Sequence, residues 1–197
     1  MTHPDGTGYI RGLYTFDDVS AEIRDFLEQK FFLKADDRAH VALKLLLTDQ
    51  LDFDAPTRGG WSRFLMTLLH RNPEGIERTR RRVIEGLPEI LRRNYDSIRD
   101  RADSNTVDEF VASLTNRDID TTTLIVLNKI MDSGLVGMAL NRMGWGVIRV
   151  NRSRYPLLTS DRPLILSAGL GPPHGHILMP ISPDRIFIAY QSDRPLI

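Results

Sequence analysis

The sequence predicts an α+β architecture, an N-terminal helical bundle packed against a small C-terminal antiparallel sheet. Two observations carry this. From Phe16 to Met143 apolar residues recur mostly at spacings of three and four, the period of a helix face. From Trp145 onward they fall into short runs of Ile, Val and Leu divided by turn residues. The expected organisation is a flexible segment over 1–15 and a single domain over 16–197. Within it, 16–143 is helical and 144–197 strand-rich.

Each element has a local reason. Val19, Ile23, Phe26, Leu27 and Phe31 form a stripe behind Asp17 or Asp18 as cap. Asp36 and Asp37 punctuate the chain before a second run, His40 to Leu47. "DFDAPTRGG" then breaks the pattern. Trp61, Phe64, Leu65, Leu68 and Leu69 lie on one face of the next helix. Asn72-Pro73-Glu74 starts another, with asparagine as N-cap and proline at the first helical position. Gly86 and Pro88 interrupt it. Thr106 to Glu109 reads as the capped start of a short helix. Leu124, Leu127, Met131, Leu135 and Met138 mark one long buried stripe, with Gly134 and Gly137 admitting close approach by a neighbour.

The strand-rich part contains "WGVIRV", "PLLTS", "PLILS", "HILMPI" and "RIFIAY", the signature of an antiparallel meander. Ser182-Pro183-Asp184 supplies a hairpin turn. The loop 168–175, "AGLGPPHG", is its longest irregular piece.

Composition limits the chemistry. The 197 residues carry a formal net charge of zero, so no global field draws nucleic acid or an anionic membrane. Cysteine is absent, which removes disulfides, thiolate nucleophiles and Cys-ligated zinc and fits a reducing compartment. No apolar, uncharged run reaches the length of about 18 residues that reads as a spanning helix. The opening segment has no secretory signal, and the expected location is cytoplasmic. Arginine outnumbers lysine 22 to 4. Arg78, Arg81 and Arg82 share a helix face, but glutamates interleave with them and no aromatics offer stacking platforms.

Three constellations are candidates for chemistry. The hexapeptide SDRPLI occurs twice, at Ser160–Ile165 and Ser192–Ile197. In the first copy Ser160 and Asp161 can bond backbone amides ahead of them, while Pro163 forces Arg162 to extend and begins a strand. The functional alternative makes Asp161 a general base, with Ser160 and Arg162 as binding groups. His174 and His176, two apart on extended backbone, can point to one side and share a metal, with Asp161 completing a two-His-one-carboxylate set. Arg63 and His70 lie seven residues apart on one helix face with Trp61 nearby, a polar pair suited to a helix–sheet cleft. No helical His-Glu-x-x-His motif and no phosphate-cradling glycine loop is present.

Three stretches together, "RGGWSRFLMTLLHRNPEGI" (Arg58–Ile76), "YPLLTSDRPLIL" (Tyr155–Leu166) and "LMPISPDRIFIAY" (Leu178–Tyr190), carry a resemblance. In order and spacing they resemble the bacterial family known as domain of unknown function 4238. The resemblance implies a helical region with an aromatic-Arg-Phe helix, then a Thr-Ser-Asp-x-Pro strand entry and a Pro-x-Ser-Pro hairpin. The family's paired-histidine opening is missing, only His3 preceding the first helix, and the chain stops on an apolar run; both suit a divergent or shortened member. The family carries no activity to transfer. The residues thus point to a bacterial cytoplasmic protein acting as a binding or interaction module through a helix–sheet cleft. The alternative is a metal-assisted hydrolase, directed at phosphoesters, using Asp161 with His174, His176 or Arg63. Neither cofactor nor partner is specified by these residues.

Overall fold

The structure, a computed structural model, describes residues 33–70, 72–98, 106–151, 154–160, 162–167 and 175–191. The helix expected from Phe16, Asp161, His174 and the second SDRPLI lie outside them. The elements are α1 (Leu33–Leu47), α2 (Ala55–His70), α3 (Pro73–Ile98), α4 (Val107–Ala112), α5 (Asn116–Met131) and α6 (Gly134–Arg142), then β1 (Gly144–Arg149), β2 (Ile165–Leu166), β3 (His176–Ser182) and β4 (Arg185–Tyr190). Helices precede strands, and the fold is α+β.

The chain divides into two compact units. One holds residues 73–129: α3, α4 and most of α5. The other holds α1, α2, α6 and the sheet.

In the sheet unit the strands run in the order β1-β4-β3-β2, all neighbours antiparallel. Strands β2, β3 and β4 form the expected meander, and β1 closes on β4 rather than beside β2. Pro156–Ser160, read as a strand, is irregular. The hairpin turn falls at Pro183-Asp184, where the Ser182 hydroxyl donates to Asp184 Oδ1 at 2.7 Å. Alternate residues Trp145, Ile177, Met179, Phe187 and Ala189 enter one core with Ala39, Ala42 and Leu46 of α1, Trp61, Leu65 and Met66 of α2, and Leu140 of α6. Trp61 and Trp145 both meet Phe187 edge-on, at 5.4 and 5.5 Å between centroids. Each such buried large side chain contributes roughly 1.5–3 kcal/mol of transfer free energy.

Four expectations are corrected. Asp36 and Asp37 lie inside α1 rather than before it. Helix α2 begins at Ala55, not after the glycine pair: Asp54 caps it, accepting from the Thr57 amide at 2.8 Å, and Pro56 sits in the first turn where no N–H is missed. Gly60 then serves packing, since a Cβ there would collide with Arg38 of α1. Helix α3 runs unbroken through Pro88; the orphaned carbonyl belongs to Ile84, an exposed residue that water can serve. The last long stripe is two helices divided at Asp132-Ser133. Leu124, Leu127 and Met131 are buried, whereas Leu135 is 78% and Met138 49% exposed.

By length and composition alone Asn116–Arg142 could cross a membrane. Asp132-Ser133 divide that stretch into two helices, and Leu124, Leu127, Met131 and Leu140 in it are buried.

In the 73–129 unit, Ile76, Thr79, Val83, Thr123, Leu124 and Leu127 are buried. Two capping boxes start its later helices. Thr106 accepts from the Glu109 amide while Glu109 takes the Thr106 amide. Thr115 and Asp118 exchange the same pair of bonds before α5. The Arg80 guanidinium reaches Asp120 at 2.8 Å and ties α3 to α5.

Candidate functional site

The stretch Arg58–Arg63 opens α2, and most of its side chains are committed to another element. Arg58 lies half-buried over the Trp145 ring, 3.9 Å from its centroid. Its Nε donates to the Asn141 carbonyl at 3.0 Å and its Nη2 to the Met143 carbonyl at 2.7 Å. Those are among the last carbonyls of α6, which have no partner within that helix, so a cation there also meets the negative end of its dipole. Ser62 donates to Asn141 Oδ1 at 2.7 Å. Arg63 pairs with Asp132 in the turn before α6. α6 is thus gripped at both ends by one face of α2.

Between the two grips lies a hollow of about 190 Å³. Met66, Met131 and Met138 give it apolar, pliable walls, and Arg63 and Asp132, both partly exposed, line it as an ion pair. Gly59, Gly134 and Gly137 line it together with Ser62, Ser133 and Asn141, and a Cβ added to any of the three glycines would meet no described atom within 4 Å beyond its own stretch of helix. The close neighbour expected at Gly134 and Gly137 is therefore not found among the described residues.

The predicted site residues are scattered. Trp61 is buried in the core, with its indole N–H unpartnered. Arg63 lines the hollow; His70, at the far end of α2, does not. The Ser160 hydroxyl accepts from the Arg162 amide at 3.1 Å, the serine turn expected before the strand. Arg162 is exposed, as is Ile165, while Leu164 and Leu166 pack against the core. His176 opens β3. Its amide donates to Ser167 Oγ at 3.0 Å, and that oxygen stands 3.4 Å from the ring Nδ1. Asp161 and His174 fall outside the described residues, among which no group of three or more His, Asp or Glu is placed to hold a metal.

The sequence reading missed Arg58, Asp132, Asn141 and the methionine walls. A signal existed for Asp132-Ser133, a good helix stop and cap in the middle of the apolar stripe. None existed for Arg58, whose partners are backbone carbonyls more than eighty residues away.

A second charged cluster stands at the foot of the sheet. α1 ends with Gln50 N–H donating to the Leu45 carbonyl and Asp49 N–H to that of Leu46, which puts Asp49 in the left-handed region at φ 59°. Glycine usually takes that position. Here the Asp49 carboxylate instead pairs with Arg149 of β1, whose hydrogen bond holds it below the usual carboxylate range. Arg149 is raised in return.

The family model described as a protein of unknown function, DUF4238, matches residues 2–196. The chain belongs to this family. No curated protein and no solved structure matches it. In this member of DUF4238, the Arg58–Arg63 stretch that carried the resemblance is the device that docks α6.

Proposed function

We propose that this DUF4238 chain is a binding module that receives an apolar side chain of a protein partner in the hollow between α2 and α6. The cleft is then helix-to-helix rather than helix-to-sheet. One observation carries the reading: three glycines of α2 and α6 border a space that no described residue fills. A glycine inside a helix costs about 1 kcal/mol relative to alanine, and at the interior positions Gly59 and Gly137 neither packing among the described residues nor a left-handed backbone requires it. Room for an incoming group explains the expense. Exposed Leu135 and Met138 supply an apolar landing beside the opening, and the Arg63–Asp132 pair a polar rim. A volume near 190 Å³ suits one side chain rather than a cofactor.

The hydrolase reading has less behind it. Arg63 is held by Asp132, and Ser160 by its own turn. A bacterial cytoplasmic setting belongs to the same proposal; the family resemblance suggests the first part and the missing cysteines fit the second.

The test is a displayed peptide library panned on the wild type and on Gly137→Leu. Leucine at 137 fills the space and favours the helix, so the variant should melt no lower than wild type. Peptides selected on the wild type should share one apolar anchor and bind the variant at least about tenfold more weakly. Equal binding to both proteins, or no selected peptide, would sink the proposal.

A further inference from the structure

The two edges of the sheet are built differently. The β2 edge is two residues long and entered through Pro163, which blunts it. The β1 edge runs for six residues, Gly144–Arg149, without proline, lysine or bulge; the irregularity of the sheet lies at Pro180/Ser182 in β3. The bond from the Val150 amide to the Asp184 carbonyl, at 2.9 Å, sets the alternation along β1. Gly144, Gly146 and Ile148 exchange bonds with β4, so the amides and carbonyls of Trp145, Val147 and Arg149 turn outward. Among the described residues nothing bonds to these outward groups.

We propose that this edge pairs with the same edge of a second copy of the chain, antiparallel about a two-fold axis at Val147. The register follows from the outward residues. Val147 faces its own counterpart, and Trp145 and Arg149 face each other, so three pairs exchange two bonds each, about six in all. Shifts of two residues leave one outward residue unmatched, and a shift of one turns the apolar face over. The side chains agree with this choice. Ile148, 43% exposed, lies opposite Gly146 of the second copy, where no side chain competes. Arg149, already paired with Asp49, meets Trp145 rather than another cation. A chain of zero formal net charge has no long-range repulsion against its own copy.

The chain has no cysteine, so one introduced thiol reports one contact. Counterparts on the axis stand about 5.5 Å apart at Cα, within disulfide reach. Under mild oxidation Val147→Cys should give a covalent dimer, and Ile165→Cys on the β2 edge should not. In sedimentation the wild type should dimerise, and Ile148→Lys, an exposed edge charge that leaves the β4 ladder intact, should weaken that at least about tenfold. A wild type that stays monomeric at about 100 μM, as it would if the edge serves a different protein, overturns the proposal. So does equal cross-linking at 147 and 165, or a dimer indifferent to the lysine.

Discussion

In the unit that carries the sheet, arginines of α2 and the aspartate after α1 reach across to another element; on α3 of the 73–129 unit several arginines stay exposed. Arg58 and Arg63 of α2 close on the two ends of α6, and Asp49 after α1 closes on Arg149 of β1. On α3, Arg78, Arg81 and Arg82 are exposed, and Arg93 pairs only with Glu89 one turn away. Arg80, reaching Asp120 of α5, and Arg92, reaching Asp108 of α4, are the exceptions. The cores differ in the same sense. Four interlocked aromatic contacts among Phe53, Trp61, Phe64, Trp145 and Phe187 centre one unit; aliphatics and threonines such as Ile76, Val83 and Thr123 fill the other. A side chain gains from a long-range polar contact only where rigid packing already holds its partner in place, because the ordering cost has been met by the core.

The contrast can be broken most directly at the cores. Trp61→Ala should cost about 3–5 kcal/mol in urea denaturation, against about 2 kcal/mol for Val83→Ala. Trp61→Phe should be milder than its lost area implies, since it also removes a buried N–H without an acceptor. Equal losses at 61 and 83 would erase the distinction between the cores.

A smaller effect sharpens the comparison of the arginines. Removing the Arg58 guanidinium leaves two carbonyls at the end of α6 unserved, and Arg58→Ala should destabilise by about 2–3 kcal/mol. Arg78→Ala should stay within about 0.5 kcal/mol. Comparable melting shifts for the two would mean that the grip on α6 contributes nothing.

The smallest expected effect is a pH dependence. The hydrogen bond from Arg149 lowers Asp49 below its ordinary value of 3.8 in the folded chain. Its contribution is therefore complete above the unfolded value and disappears as pH falls through the folded one. Asparagine tolerates the left-handed backbone, so Asp49→Asn removes only the charge. The stability difference between wild type and variant should be constant above about pH 5 and shrink below 3.8. A difference that persists unchanged to low pH would assign Asp49 a purely conformational role. Asp54, lowered by the Thr57 hydroxyl and amide, titrates in the same direction in both proteins and cancels.

Features made by neighbours along the chain were legible. α3 starts at Pro73 as read, Thr106 and Glu109 close their box, Ser160 turns back on Arg162, and Pro183 sits in the hairpin, all of them features set by near neighbours in sequence. Asp54 and Thr115 are caps of the same kind that the reading passed over, Asp54 because the glycine pair drew the boundary instead. Periodicity identified the faces of α2 and the first half of the long stripe, but not what happens after Asp132. Leu135 and Met138 continue the same spacing as Met131 and stand exposed, because Asp132-Ser133 end one helix and a new one starts at Gly134, so the spacing no longer describes one continuous face.

Along the chain, residue chemistry determined most of the helices and strands, where several of them start, and that the strands come last. Only the tertiary structure decided that β1 lies beside β4, that the family's marker helix spends its polar groups on α6, and that three glycines border a hollow that no described residue fills. The physical reason is range. A cap or turn is closed by atoms a few residues apart, whereas strand order and a hollow depend on which distant surfaces meet, and helical spacing is the same whether or not anything covers the face.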